Sequence, residues 1–234
     1  MKLIKTKEIV LTPLLLISII ILSVLISNSI NNQQVIAQEQ QQQLSPEEIE
    51  NEILRGNLDV DSDDSGTITT TESSVQSLSN DSVLEYESPA HGIRIQYPDR
   101  WLIMIESPSN SSLSLRFSSP PENDTDIFRE NVLFEINTIS NNTALGNYTS
   151  AAITSYLESY PDLRFREVSS TNLTDAAIPA YKLVASRTQE GLDFMQIVAI
   201  NGDKLYNITY TSDKTRYSTY LPIIEEMINS FEVT

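Results

Sequence analysis

From residue 83 onwards, apolar and polar residues alternate in several short stretches, which is the pattern of strands with one buried face. The clearest stretch is Gly-Ile-Arg-Ile-Gln-Tyr-Pro-Asp-Arg-Trp at 92–101, where Pro98 has no N–H to continue a sheet ladder. Further strands are predicted at 113–117, 132–136, 181–186, 194–200 and 205–210. Asn201-Gly202 separates the last two and is typical of a type I′ turn, so these strands are expected to be antiparallel neighbours.

Two further stretches have the 3.6-residue period of amphipathic helices. The first runs from Tyr148 to Tyr160 and ends before Pro161. The second places apolar residues from 217 to 231 at helical spacing, with Pro222 expected in the first turn. The predicted fold class of residues 83–234 is therefore α+β, with a twisted antiparallel sheet of about six strands and helices packed on it.

The N-terminal 37 residues have the pattern of an export signal, because three lysines precede an apolar run from Ile9 to Ile26. The small residues Val35 and Ala37 are typical of a signal-peptide cleavage site. A run of about 18 apolar residues is also long enough to remain as a membrane anchor. Either way, residues 38–234 are expected outside the cytoplasm, secreted or at the cell surface, because the basic flank stays inside.

The composition and net charge exclude some classes of binding partner and some kinds of chemical site. The chain carries 15 Lys and Arg against 32 Asp and Glu, a net charge of −17, so nucleic acid is not an expected partner. It has no cysteine, and hence no disulfide, thiolate metal site or lipidated cysteine anchor. Asn-x-Ser/Thr sequons lie at Asn80, Asn110, Asn123, Asn141, Asn147, Asn172 and Asn207. They indicate either a glycosylated surface protein or ordinary polar loops.

Residues 38–82 are predicted to be an acidic spacer, because they are rich in Gln, Glu, Asp, Ser and Thr and poor in apolar residues. One part of it differs. Ser45-Pro46-Glu47-Glu48 has the pattern of a helix start, and Ile49, Ile53 and Leu54 form a thin apolar stripe after it.

The stretch 61–72 resembles an EF-hand calcium loop. Such a loop supplies oxygen ligands from its positions one, three, five, seven, nine and twelve. Those positions hold Asp61, Asp63, Ser65, the Thr67 carbonyl, Thr69 or its water, and Glu72. The flanking helices are poor and no second loop pairs with it, so any Ca²⁺ affinity is expected near roughly 0.1–1 mM. The alternative interpretation is an acidic linker whose spacing matches by chance.

Signatures of catalysis are sparse, and the protein is predicted not to be an enzyme. His91 is the only histidine and lies in the turn-like Pro89-Ala-His-Gly, so it is interpreted as a polar loop residue and not a catalytic base. The six glycines form neither a Gly-x-Ser-x-Gly elbow nor a phosphate-binding loop.

Two other clusters have a functional and a structural interpretation. One is acidic: Glu122, Asp124, Asp126 and Glu130. The other is aromatic: Tyr206, Tyr210, Tyr217 and Tyr220. The acids are interpreted as a solvated loop rather than a cation site, and the tyrosines as packing residues rather than a ligand groove.

Several short motifs together resemble the PsbP family. They are the stretch at 92–101, Phe128-Arg-Glu-Asn-Val132, Pro179-Ala-Tyr181, Lys204-Leu-Tyr206 with Tyr210, and Ser230-Phe231-Glu-Val. The similarity covers about 86–233 and implies the PsbP/Mog1-like fold, a central antiparallel sheet sandwiched by helices. The family includes an extrinsic lumenal subunit of photosystem II and many non-photosynthetic relatives. Its motifs are structural and no plastid-type transit peptide is present, so the photosynthetic role is not implied.

Two classes of function follow. The first is a non-catalytic, extracytoplasmic accessory or binding module, displayed at the cell surface by the acidic stalk and acting through contact with a protein partner. The second is a calcium-responsive surface protein in which the loop at 61–72 orders the stalk. The sequence does not indicate which protein the partner is.

Overall fold

The computed structural model describes residues 82–109, 112–123, 126, 128–173 and 177–233. The predicted export signal, the acidic spacer up to residue 81 and the predicted calcium loop lie outside these residues. Within the described ranges, no helix is both long enough and apolar enough to span a membrane.

The described residues form ten strands and two helices. In chain order they are β1 Val83–Ser88, β2 Ile93–Pro98, β3 Leu102–Ser109, β4 Ser112–Ser118, β5 Asn131–Thr138, α1 Leu145–Ser159, β6 Leu163–Leu173, β7 Ile178–Arg187, β8 Leu192–Asn201, β9 Lys204–Asp213, α2 Tyr217–Asn229 and β10 Glu232–Val233. The predicted α+β class is confirmed, and the larger of two sheets has seven strands where a sheet of about six was expected.

Two antiparallel sheets organise these strands. The larger has seven strands in the order β3-β4-β5-β9-β8-β7-β6, and the smaller has three in the order β1-β2-β10. The edges of the large sheet are therefore β3 and β6. In the small sheet, Pro98 is the last residue of β2 and pairs with Val83, so its missing N–H falls at the end of the ladder.

The main core lies on one face of the large sheet, here called the inner face, where side chains of α2 and the small sheet pack. Aromatic rings join these layers. The Tyr97 ring of β2 lies 4.9 Å from that of Phe117 on β4, and Phe134 of β5 lies 5.4 Å from Phe231 after α2. Complete burial of such side chains contributes about 1.5–3 kcal/mol each.

Helix α1 packs on the opposite, outer face against β8. Its buried residues are Tyr148, Thr149, Ala152 and Ile153. From the same helix, the Tyr156 hydroxyl accepts a hydrogen bond of 3.1 Å from Gln196 Nε2, and Gln196 Nε2 lies 3.3 Å from Thr209 Oγ1 on β9. The outer face is therefore partly polar beneath its helix.

The turn between β8 and β9 differs from the predicted one. These strands are antiparallel neighbours as expected, but Asn201 pairs with Lys204, so Gly202 and Asp203 form the loop. Gly202 has φ of 63°. Asp203 does not have a positive φ, because Ala177 is the one non-glycine residue with positive φ in the described part of the chain. A type I′ turn needs positive φ at both central residues, so this pattern is that of a type II′ turn.

Pro222 lies in the second turn of α2, and its expected place in the first turn was wrong. Helix α2 begins at Tyr217, so an N–H at position 222 would have donated to the Ser218 carbonyl. The cost of that missing bond is offset by the burial of the four residues Ile223, Ile224, Met227 and Ile228.

Candidate functional site

The predicted calcium ligands lie outside the described residues. They are Asp61, Asp63, Ser65, Thr67, Thr69 and Glu72. Within the described ranges, no group of three or more His, Asp or Glu side chains has the arrangement of a metal site. The calcium loop therefore stays a prediction from sequence.

His91 lies in the turn between β1 and β2, as expected for a polar loop residue. Its Nδ1 is 2.9 Å from Ser88 Oγ, and its Nε2 is buried with no hydrogen-bond partner. A Ser-His-Asp triad needs a partner on each ring nitrogen. Among the described residues, only the Nδ1 atom of His91 has a hydrogen-bond partner.

The predicted acidic loop is not uniformly solvated. Glu122 forms an ion pair with Arg216 and accepts a hydrogen bond of 3.1 Å from the Tyr220 hydroxyl. The backbone N–H of Glu122 also donates to Asp126 Oδ2 at 2.9 Å. These contacts tie the loop before β5 to the start of α2. Asp124 lies outside the described residues.

Glu130 departs furthest from the expected solvated loop, because it is only 3% exposed. Ser119 Oγ lies 3.4 Å from its Oε2. Burial raises the pKa of Glu130, and the nearby charges of Asp126 and Asp213 raise this pKa further. The loop therefore ends in a carboxyl group for which ionisation is unfavourable.

The four tyrosines make packing contacts, as predicted. Tyr206 and Tyr210 are buried in the core. The Tyr210 hydroxyl donates to the Tyr217 carbonyl at 3.0 Å, and the two rings stack at 5.1 Å. Tyr220 packs edge-on against Trp101 at 6.1 Å. Burial raises the pKa of Tyr217 to about 12, so this hydroxyl stays protonated at neutral pH.

A partly buried ion pair joins β6 to β8 and was not predicted from sequence. Arg166 lies at a register shift in β6, and bulges of this kind redirect a side chain. Its Nη2 is 2.9 Å from Asp193 Oδ2, and its guanidinium lies 5.5 Å from the Tyr217 ring centre. Asp193 is 2% exposed, and its Oδ1 has no partner among the described residues.

A second ion pair ties the β7–β8 loop to the start of β6. Arg187 Nη2 lies 3.2 Å from Asp162 Oδ1, and the Arg187 guanidinium lies 4.2 Å from the Tyr160 ring centre. Burial alone would raise the pKa of Asp162, but hydrogen bonds from Arg187 and the Gln189 backbone outweigh it and lower the pKa. The contacts of both ion pairs are internal, so we interpret them as structural.

Three of the five exposed large apolar residues in the described part of the chain lie elsewhere, at one edge of the large sheet, and the other two, Val83 and Leu84, lie on β1. Leu102 is 60% exposed, Met104 55% and Ile105 50%, and all three belong to β3. We call these three residues the β3 edge surface. Among the described residues, β3 pairs with β4 alone. The other side of such an edge strand presents backbone N–H and C=O groups.

The opposite edge of the sheet, β6, carries the features that protect an edge strand. Arg164 and Arg166 are exposed on it, and a register shift interrupts its ladder between Phe165 and Glu167. Charges and bulges of this kind prevent edge-to-edge pairing. Strand β3 has such features only in its second half, which contains Glu106, Pro108 and a register shift between Glu106 and Ser109. Its uninterrupted Leu-Ile-Met-Ile is the sequence signal that could have identified this surface.

Two antiparallel sheets with helices packed on both faces of the larger one define a small α+β domain. The chain belongs to the PsbP-like protein family, whose model matches residues 51–233. The resemblance noted from the motifs is thereby confirmed. The match begins upstream of the expected start near residue 86, so it includes the stretch 61–72.

Solved structures with a similar fold come from several organisms. Cyanobacterial PsbP (CyanoP) from Synechocystis sp. PCC 6803 has a TM-score of 0.49 and 17% identity, over 65% of this chain and 93% of that chain. LpqN of Mycobacterium tuberculosis, involved in cell envelope biogenesis, has a TM-score of 0.45 and 13% identity, over 68% and 98%.

A third similar structure is PA94 from Pseudomonas aeruginosa, a protein of unknown function. Its TM-score is 0.43 at 13% identity, over 62% of this chain and 92% of that chain. No curated protein matches this sequence significantly. At such identities the likeness does not transfer a function.

Proposed function

We propose that this protein is a non-catalytic, extracytoplasmic accessory module of the PsbP-like family that acts by binding another protein along the free edge of β3. The observation that carries the proposal is the exposure of Ile105, at 50%, on a strand that pairs on one side only within the described part of the chain. A partner segment in extended conformation would add to this edge through main-chain hydrogen bonds.

The contrast between the two edges of the large sheet supports this assignment. Soluble proteins keep edge strands monomeric with charges, prolines or bulges, and β6 has two exposed arginines and a bulge. On β3 the charge, the proline and the register shift all lie after Ile105, so the apolar stretch Leu102–Ile105 has none of them. An apolar edge is costly to leave in water, so its occupation by a partner would stabilise the protein.

Two further observations support the location and the absence of catalysis. Three lysines followed by an apolar run are typical of an export signal, which would place residues 38–234 outside the cytoplasm. The single histidine contacts Ser88 within a turn, and the described ion pairs Arg166–Asp193 and Arg187–Asp162 are internal contacts.

Capture of the partner from cells tests this function. Full-length tagged protein is compared with Ile105→Lys, which puts a charge on the β3 edge, and with Ser170→Lys, which puts the same charge on exposed β6. We expect the captured protein to be lost with Ile105→Lys and retained with Ser170→Lys, while both variants keep the parental melting temperature. Equal capture by all three proteins would contradict the proposal.

A second function is supported by the ligand spacing at 61–72, and we propose it as the alternative: a calcium-responsive surface protein. Calorimetric titration of the full chain with CaCl₂ should show one weak site, with a Kd of roughly 0.1–1 mM. This heat should disappear in Glu72→Gln and persist in Glu50→Gln, which removes the same charge outside the loop. An absence of heat, or heat that survives in Glu72→Gln, would leave residues 61–72 as an acidic linker.

A further inference from the structure

The exposed large apolar residues of the described chain lie on two edge strands. Leu102, Met104 and Ile105 belong to β3, and Val83 and Leu84 belong to β1. Strand β3 is an edge of the large sheet, and β1 is an edge of the small sheet. Each sheet therefore has one apolar edge strand, and the relative position of the sheets decides whether the two edges form one surface.

Contacts between the sheets place these two edges on the same side of the domain. The ring of Tyr97 on β2 lies 4.9 Å from that of Phe117 on β4, so β2 packs over β4. Phe231, which directly precedes β10, lies 5.4 Å from Phe134 on β5 and 6.0 Å from Tyr206 on β9. Strand β1 flanks β2 on the side opposite to β10, just as β3 flanks β4 on the side opposite to β5. Strands β1 and β3 therefore border one opening between the two sheets.

The sides of β1 and β3 that face this opening are apolar. Residues directly opposite each other in an antiparallel pair share a face of the sheet. Leu84 pairs with the core residue Tyr97, and Ile105 pairs with the core residue Leu115. Leu84 and Ile105 therefore point into the layer between the sheets, yet they are 46% and 50% exposed. We call the opening that they border the β1–β3 cleft.

The charged side chains on these strands and their neighbours point away from the cleft. On the small sheet they alternate with core-facing residues and comprise Glu85, Glu87, Arg94 and Glu232. On the large sheet they lie on the outer face and comprise Glu106, Arg116 and Glu135. The turn between β2 and β3 adds an exposed Asp99 and Arg100. The side chains that β1 and β3 direct into the cleft are uncharged, so the cleft fits apolar groups.

These charges and the strand geometry favour an extended protein segment as the occupant. Acidic residues outnumber basic ones around the cleft, which disfavours an anionic membrane surface. A second copy would bring the same net charge of −17, and the repulsion between two such chains opposes their association. A segment added to the backbone of β3 has alternate residues on the two sides of the sheet. Every second residue of it would therefore face the cleft, beside Ile105 and Leu84.

We propose that the β1–β3 cleft determines which segment β3 binds: an extended protein segment whose cleft-facing residues are large and apolar and contact Leu84 as well as Ile105. This inference rests on the proposed function, because it names the chemistry of the partner at the same edge. It also accounts for the exposure of Leu84 on the core-facing side of β1, since a strand added beyond β3 would cover it. Removal of this apolar area from water would then stabilise the complex.

Titration with defined peptides tests this inference. The apolar probe is the fluorescein-labelled peptide Lys-Thr-Ile-Thr-Ile-Thr-Lys. The control probe has Thr in place of both Ile residues, which keeps its length, charge and β-branched side chains. Full-length protein is compared with Leu84→Thr and with the matched variant Val83→Thr, because Val83 is 42% exposed on the opposite face of β1. Fluorescence anisotropy measures the Kd of each peptide for each protein.

We expect the parent protein to bind the apolar peptide at least about tenfold more tightly than the control peptide. Leu84→Thr should weaken binding of the apolar peptide by at least about fivefold, whereas Val83→Thr should leave it unchanged. Leu84→Met keeps an apolar side chain of similar size and should bind like the parent. Each variant is required to melt cooperatively, so that a loss of binding reports on the cleft and not on unfolding.

Three results would overturn this inference. The first is binding of the apolar peptide that is lost in Ile105→Lys but unchanged in Leu84→Thr, which would leave the proposed function intact. The second is failure of the parent to bind the apolar peptide, after which capture of a partner that is lost in Ile105→Lys would still support the proposed function. The third is a dimer in sedimentation that dissociates in Leu84→Thr, which would show that a second copy fills the cleft.

Discussion

Glu130 has an environment that is unusual for a carboxyl group. It is 3% exposed, and burial raises its pKa above the ordinary value of 4.5, with Asp126 and Asp213 adding to the effect. A raised pKa means that the folded protein disfavours the charged form. Ionisation of Glu130 therefore lowers stability as the pH rises through the folded pKa, and the full stability is present only below the unfolded value.

Glu130→Gln should therefore raise the melting temperature at pH 7, because the amide fills the site without a charge. The gain over the parent protein should shrink as the pH falls and should vanish near pH 4, where the carboxyl group is protonated in both states. Calorimetry of the parent protein and Glu130→Gln at pH 7 and pH 4 measures this gain in melting temperature. Exposed Glu87→Gln is the matched control and should show no such pH-dependent gain. A loss of stability in Glu130→Gln at pH 7 would mean that the carboxylate has a favourable partner.

The burial of individual residues was predicted correctly where apolar and polar side chains alternate along a strand. Phe117 and Phe134 were expected on the inner faces of their strands, and both are almost completely buried. The burial of Glu130 could not be predicted, because it precedes β5 in a loop whose course depends on contacts with Arg216 and Tyr220. Those contacts join residues that are far apart in the sequence.

Among the elements, six of the ten strands were predicted. β2 and β4 alternate regularly, and the alternation gave their positions. Strands β5, β7, β8 and β9 were predicted from their apolar residues, although they are buried on both faces. Strand β3 reads Leu-Ile-Met-Ile and has no polar alternation, because its outer face is itself apolar. In β6 a register shift after Phe165 breaks the two-residue period. The four missed strands are the two edges of the large sheet, β3 and β6, and the strands β1 and β10 of the small sheet.

A further prediction concerns Gly202 in the turn between β8 and β9. Gly202 has φ of 63°, and a Cβ added there meets nothing within 4 Å, so the cost of substitution is conformational and not steric. Gly202→Ala should lower the free energy of unfolding by about 1 kcal/mol, measured by urea denaturation. Gly202→Asn should cost less, because asparagine tolerates the left-handed region better than alanine. Equal losses for the two variants would indicate that the turn itself rearranges.

For the whole molecule, local patterns predicted the fold class but not the order of strands. The sheet places β5 beside β9, which are separated in sequence by α1 and three other strands. Local hydrophobic periodicity carries no information on such pairing. The resemblance to the PsbP family supplied the fold that periodicity could not, and the family match to residues 51–233 confirms it. The surface proposed for binding was not predicted, because local periodicity does not show that β3 lies at an edge of the sheet.

A membrane-impermeant cross-linker on intact cells tests whether the β3 edge binds another protein and whether it does so outside the cytoplasm. The absence of native cysteine permits attachment of a maleimide photo-cross-linker at a single introduced thiol. Ile105→Cys is compared with Ser170→Cys, which is exposed on the opposite edge strand.

We predict that both variants are labelled in intact cells and that illumination joins only the Ile105→Cys protein to another protein. Labelling that requires broken cells would contradict the extracytoplasmic location. Labelling of intact cells followed by the same adduct from both variants, or by no adduct from Ile105→Cys, would contradict the β3 edge as the binding surface.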